Sequence, residues 1–332
     1  MHSLSDALER LQALLAHDIP ATPGLRHLDV SFPLNDAFDP LAWLGAQLCY
    51  PQFYWQQRNG DEELAALGSL KPFSSLTAAQ RFLRAHPACD DTRICGLNAF
   101  TPEQGHLFLP RLLWMREGGS ARLRLTLFSA HSLAQDAQEA AGFLHQLTGL
   151  KPMPRLPSQR VSETHSSSRP EWMALIARAT EAIARGEFEK VVLARATDLQ
   201  FSQPVNPIAL MAASRALNLT CFHFCMVFDA QKAFMGSSPE RLWRRRGKHL
   251  RTEALAGTVA NSSDEVQAQR LSDWLIHDDK NQRENMLVVE DICQRLQRHT
   301  LSLEVLPAQV VRLRKVQHLR RCIWTEMHDA DD

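Results

Sequence analysis

No stretch of this 332-residue chain is apolar for long enough to span a membrane. No N-terminal segment reads as an export signal either. The first helix candidate, Leu4 to Ala16, is amphipathic, with Leu4, Leu8, Leu11 and Leu15 on one side and Asp6, Glu9 and Arg10 within it. Charge of one sign is not in excess: lysine plus arginine equals aspartate plus glutamate, 37 each. That balance removes the general reason to expect nucleic acid or an anionic membrane as partner. Cysteine is sparse, seven in all, with no CxxC and no HxxxH pair, so the thiols are expected reduced, in the cytoplasm. The absence of GxGxxG and of GxxxxGK(S/T) leaves dinucleotide and P-loop nucleotide binding without support. No GxSxG marks a hydrolase elbow. There is no internal repeat and no low-complexity tract. What is present is apolar sequence, 45% of residues, ample for a full core, and length for two domains or one large one.

Residues 1–150 read as an N-terminal mixed α and β region. Phe53 to Arg58 runs into Asn59-Gly60, a two-residue turn signal. Leu107 to Arg116, Gly118-Gly119 and Ala121 to Phe128 read as a hairpin, and Leu133 to Leu147 as a helix. Residues 151–170 carry Pro152, Pro154, Pro157 and the Ser166 to Ser168 run, the composition of a connector or of a long surface loop. Residues 171–332 then form a second region. A helix starts at Pro170, with Trp172, Leu175, Ile176, Ala179 and Ile183 at helical spacing, and stops at Gly186. A strand is expected over Lys190 to Arg195, and a helix from Asn206-Pro207 to Leu217. Short strands follow at 222–228, 233–236, 241–244 and 249–254. Ser263 to His277 and Gln282 to Arg298 read as two helices or one bent one, and 301–306 and 310–316 as extended.

Lys190 is the first residue that asks for an explanation. Alternation sets it with Phe188, Val192 and Ala194 on one strand face. A lysine on a mostly apolar face is costly unless exposed, paired or chemically used. Glu240 ends a tight loop, Ser237-Ser238-Pro239-Glu240-Arg241, and Glu284 lies in a polar helix start whose apolar face (Met286, Val289, Cys293, Leu296) points elsewhere. A lysine and two glutamates could supply a base, an acid and a metal ligand. Plain alternatives stay open: a snorkelling lysine, a surface-turn glutamate, a solvated helix start, and an ordinary turn glycine at Gly257. Cys221, His223 and Cys225 share a strand face but lack a fourth ligand, which favours a core strand over a zinc site. The basic segment Arg312 to Arg321 lacks interleaved aromatics and reads as a solvated face with His318 turned inward.

Five of these segments in order resemble the chorismate-utilising enzyme family: Lys190-Val-Val-Leu-Ala-Arg, Ser237-Ser-Pro-Glu-Arg-Leu, Leu255-Ala-Gly-Thr, Glu284-Asn285 on a helix, and Val316-Gln-His-Leu. Within that family the N-terminal half is similar to the isochorismate synthases of menaquinone synthesis, at Ala21 to Gly24, Tyr50 to Gln57 and Gly96 to Phe100. The resemblance implies an α+β fold with large antiparallel sheets flanked by helices. It implies that water adds at C2 of chorismate while the C4 hydroxyl leaves. Lys190 would be the base at C2 and must be neutral to serve, which desolvation or a nearby cation favours. Glu240 would be the acid at C4 and must be protonated, which a low-polarity pocket favours. Glu284 would be a ligand of a magnesium ion that holds the ring carboxylate. Gly257 would be a backbone contact near the C4 hydroxyl, and His318 a substrate-side histidine. Ammonia-using members typically carry glutamine where Lys190 stands, so a water nucleophile and no amidotransferase subunit are expected. Salicylate synthases keep the lysine, and a non-catalytic remnant is the alternative from another class. Members of the family continue well past the position of Asp332. There they supply a second magnesium glutamate, a tyrosine, an arginine and a Gly-Ala-Gly carboxylate loop. On that comparison the chain by itself is expected to turn over slowly or not at all.

Overall fold

The computed structural model describes residues 4–34, 38–89, 91–101 and 103–329. Ala330 to Asp332 lie outside the described residues. The chain divides into two units, Met1–Pro154 with Pro207–Arg241, and Arg155–Asn206 with Leu242–Asp332. The fold is α+β, with large antiparallel sheets flanked by helices.

The first unit is built on an eight-stranded antiparallel sheet. Its order is Gly24–Pro33, Ser120–Ser129, Gly105–Glu117, Glu62–Phe73, Gln52–Gln56, Phe222–Val227 and Ala233–Ser238, with Cys95–Asn98 also paired to Gly105–Glu117. The turn at Asn59-Gly60 closes with Gly60 N–H donating to the Gln57 carbonyl. Both sheet faces are covered, which is why strand sequences such as Leu112 to Met115 are continuously apolar rather than alternating. One face (Tyr54, Leu67, Leu112, Trp114, Leu125) packs with residues from the helices Leu4–Leu15, Leu133–Gln146 and Pro207–Leu217. The other buries Phe53, Ala66, Leu113, Met115 and Met226. Arg111 and Asp136, nearly buried, form a two-pronged pair at 2.7 Å that ties the sheet to the 133–146 helix.

This division differs from the partition expected at residues 151–170. Residues 207–241 join the first unit because strand 222–227 pairs with strand 52–56, from Gln52 opposite Val227 to Gln56 opposite His223. Helix 207–217 also buries Ile208 and Met211 in the first unit's core.

The second unit holds a five-stranded antiparallel sheet in the order Arg244–Arg246, His249–Ala260, Val316–Met327 and Thr300–Val305, with Gln309–Arg312 also paired to Val316–Met327. Helices Glu265–His277 and Asp279–Leu296 are separate. Asp278 ends the first and caps the second, its carboxylate accepting from Asn281 N–H. Ala254, Val289 and Ile323 form the small core between the second helix and the sheet. A two-stranded ribbon pairs Arg160–His165 with Thr197–Phe201. Helix Arg169–Ala184 opens with a Ser168–Glu171 capping box. Its apolar residues Met173, Leu175, Ile176 and Ile183 remain exposed.

The strand expected over Lys190 to Arg195 does not form. Residues 190–196 carry no ladder, and the neighbouring strand begins at Thr197. A β-branched run specifies an extended chain, but a strand also needs a partner for its backbone groups. Among the described residues no strand pairs with 190–195.

Candidate active site

Four of the five expected residues lie in the second unit, and the 279–296 helix organises them. Where strand 249–260 pairs with strand 316–327, the register breaks between Leu255 and Thr258. Gly257 sits in that bulge with φ of 88°. A Cβ there would also stand 3.2 Å from the side chain of Asn281. Glycine is therefore required both by conformation and by space.

Two asparagines one turn apart hold the bulge from beneath. Asn281 Oδ1 accepts from Thr258 N–H at 3.1 Å, while its Nδ2 donates to Asp278 at 2.7 Å. Asn285 is completely buried. Its Nδ2 faces the carbonyls of Ala254, Ala256 and Leu319 at 3.2, 3.1 and 3.0 Å, and its Oδ1 accepts from Arg321 at 2.6 Å. The side chain thus spans both strands exactly where the Gly257 turn leaves the ladder incomplete.

Glu284 is adjacent in sequence but turned away from that buried face. Its carboxylate lies 3.6 Å from Lys190 Nζ, with both side chains about a third exposed (37% and 28%). The preceding residues form a parallel contact, Arg283 to Glu189 at 2.9 Å. Two successive ion pairs therefore fasten the unpaired 189–190 segment to the helix, and Lys190 is both paired and accessible.

His318 faces Thr258 across the ladder, its Nδ1 2.9 Å from Thr258 Oγ1. Burial lowers the His318 pKa, with the Gly257 backbone acting the other way. At neutral pH the ring is thus a neutral hydrogen-bonding group beside the glycine turn. Gly257 and His318 are brought together through Thr258, and Lys190 is brought to Glu284.

Glu240 belongs to the first unit. It is exposed, in the loop after strand Ala233–Ser238, and its N–H donates to Ser238 Oγ at 3.2 Å. Cys221, just before strand 222–227, and His223 and Cys225 within it are all buried. Burial pushes the Cys225 thiol up to about 12, far from the thiolate a metal would need. Among the described residues no group of three His, Cys, Asp or Glu gathers as a metal cluster.

The helix face expected to be buried is corrected here. Asn281, Asn285 and Val289 are inward, with Ile292 and Cys293 partly so, whereas Met286 is exposed. Apolar periodicity does not find a face led by two amides. The available signal is their i, i+4 spacing astride Glu284. Asn285→Ala would take one partner from each of three carbonyls and from the Arg321 guanidinium, which keeps Gln282. It is expected to cost about 2–4 kcal/mol, measured as a lowered denaturant midpoint with unchanged slope.

The chorismate binding enzyme family matches residues 97–331. The chain is 63% identical over 332 residues to the isochorismate synthase MenF of Escherichia coli, covering 100% of this chain and 77% of that protein. It is 37% identical over 328 residues to isochorismate synthase MenF of Pasteurella multocida, covering 97% of this chain and 74% of the relative. The solved structure of the menaquinone-specific isochorismate synthase from Escherichia coli superposes with a TM-score of 0.96 over 99% of this chain and 77% of that one. A putative 2,3-dihydroxybenzoate-specific isochorismate synthase from Bacillus anthracis, 18% identical, shares the fold with a TM-score of 0.64 over 89% of this chain and 70% of that one.

Proposed function

The chain belongs to the chorismate binding enzyme family, and from that premise we propose that it is an isochorismate synthase of menaquinone synthesis. The observation that carries this reading is identity of 63% along the entire chain with a protein of that name.

The chemistry assigned to the residues balances. Water bonds through oxygen to C2 of chorismate and gives up one proton, which Lys190 takes as the neutral amine, released from its ion pair with Glu284. The ring double bonds shift, and the C4 hydroxyl departs with a proton from Glu240 as water. Hydroxide is a poor leaving group, so the acid is needed as much as the base. Both catalytic groups end the cycle with their protons exchanged and are restored by solvent. Gly257 offers backbone at the C4 side. His318, neutral and fixed by Thr258, contributes a hydrogen bond to the substrate.

Magnesium would be held by Glu284. A partly exposed carboxylate suits a hard ion that keeps several waters and takes oxygens from its substrate. When bound, the ion neutralises a substrate carboxylate. Lys190 rather than an amide at its position supports water over ammonia as nucleophile, hence no amidotransferase subunit. No helix among the described residues is long and apolar enough to cross a membrane, and none of the seven cysteines forms a disulfide. Free thiols suit a cytoplasmic setting.

Purified chain given chorismate and magnesium decides the matter. Isochorismate without pyruvate, formed slowly, is the expected product. Pyruvate release would move the reading to salicylate synthase. Chorismate bound in calorimetry but not converted would reduce it to a non-catalytic remnant. Chorismate neither bound nor converted would overturn it.

A further inference from the structure

Glu240 stands in the loop that follows strand Ala233–Ser238, with an exposed side chain, a weak platform for a group that must meet one hydroxyl. Its neighbours in the first unit supply what the loop lacks. At the entry, Ser237 Oγ lies 2.8 Å from His223 Nδ1 and 2.7 Å from Ser214 Oγ, anchoring the last strand residues to the sheet and to the 207–217 helix. At the apex, Arg58 Nη1 donates to the Pro239 carbonyl at 2.6 Å. Arg58 arrives from just beyond strand 52–56, some 181 residues away in sequence. Its guanidinium also lies 5.1 Å from the centre of the Phe222 ring, and that of Arg241 lies 5.3 Å from the same centre. Phe222 is the residue opposite Ser238 in the ladder, and Trp55 stacks on it at 6.2 Å. One aromatic ring, rooted at the point where the loop leaves the sheet, thus receives an arginine from inside the loop and another from outside it.

We propose that Arg58 is a positioning residue for Glu240: its bond to the Pro239 carbonyl and its seat on Phe222 fix the Ser237–Arg241 loop, and so the direction of the acid. Lysine would keep the charge but lose the planar stack and the directional fork. The inference rests on the assignment of Glu240 as the acid, and its test separates the two.

Amide exchange of Ser238, Glu240 and Arg241 is measured in the unaltered chain, Arg58→Ala and Arg58→Lys, with strand 222–227 as internal reference. Arg58→Ala is expected to speed exchange in the loop by about tenfold while the reference strand stays protected, and Arg58→Lys to recover part of the protection. Loop exchange unchanged in Arg58→Ala, or loosening shared equally by strand 222–227, overturns the proposal. Kinetics on the same proteins with chorismate and magnesium should show kcat lowered about 10–100-fold in Arg58→Ala with KM within about twofold. A loosened loop with unchanged kcat overturns it as well. No conversion by the unaltered chain, with a loop that still loosens, counts against the functional assignment and supports the positioning role.

Discussion

Glu240→Gln is expected to lower isochorismate formation by about 10²–10⁴-fold relative to the unaltered chain. The amide keeps the shape and the hydrogen-bonding capacity of the side chain, but it has no proton to give a departing hydroxide. Stability should barely move, since Glu240 is exposed at a loop end and surface substitutions of that kind stay within about 0.5 kcal/mol. The informative measurement is therefore kcat beside a denaturation curve. Loss of rate at constant midpoint supports the acid. Full rate in Glu240→Gln removes Glu240 from the chemistry. A chorismate analogue lacking the C4 hydroxyl should bind both forms equally, because the deficit concerns departure of that group and not capture of the ring.

Lys190→Gln is expected to produce a loss of the same order, about 10²–10⁴-fold, for the opposite reason: water at C2 has nothing to take its proton. Two effects compete in this substitution, and their sizes tell them apart. Lys190 also pairs with Glu284 at 3.6 Å, with both side chains partly exposed. Such a pair contributes only about 0–1 kcal/mol to stability. Loss of the pair alone would therefore leave the fold intact, and a thousandfold rate deficit could not be ascribed to unfolding. Lys190→Arg sharpens the point. Arginine retains the positive charge and can reach the carboxylate, yet it does not give up its proton at ordinary pH. If Lys190→Arg works as well as the lysine enzyme, the residue serves as a charge and not as a base.

Local signals carried much of the fold. The Pro and Gly punctuation and the helical spacing locate the 133–146, 169–184 and 207–217 helices, and Gly118-Gly119 locates the long hairpin of the first sheet. What stayed hidden was non-local. Nothing within residues 222–227 states that they will lie beside residues 52–56, so the grouping of 207–241 with the N-terminal region emerges only from the pairing. The extended run at 190–195 has the residues of a strand and lacks the neighbour. The candidate site divides the same way. Lys190, Glu240, Gly257, Glu284 and His318 were visible through the order of their motifs. Asn281 and Asn285 were not, because a polar residue satisfied by buried carbonyls looks the same in a sequence as one satisfied by water.

The 279–296 helix has its amides toward the sheet and Glu284 turned away from it, all within its first two turns. Its beginning is consequently where the two ligand-handling tasks proposed above share a foundation. Unravelling from Asp278 would slacken the glycine turn and displace the Glu284 carboxylate together, whereas fraying from Leu296 would reach neither. Drift in sequence is thus better tolerated toward the tail of this rod than at its head.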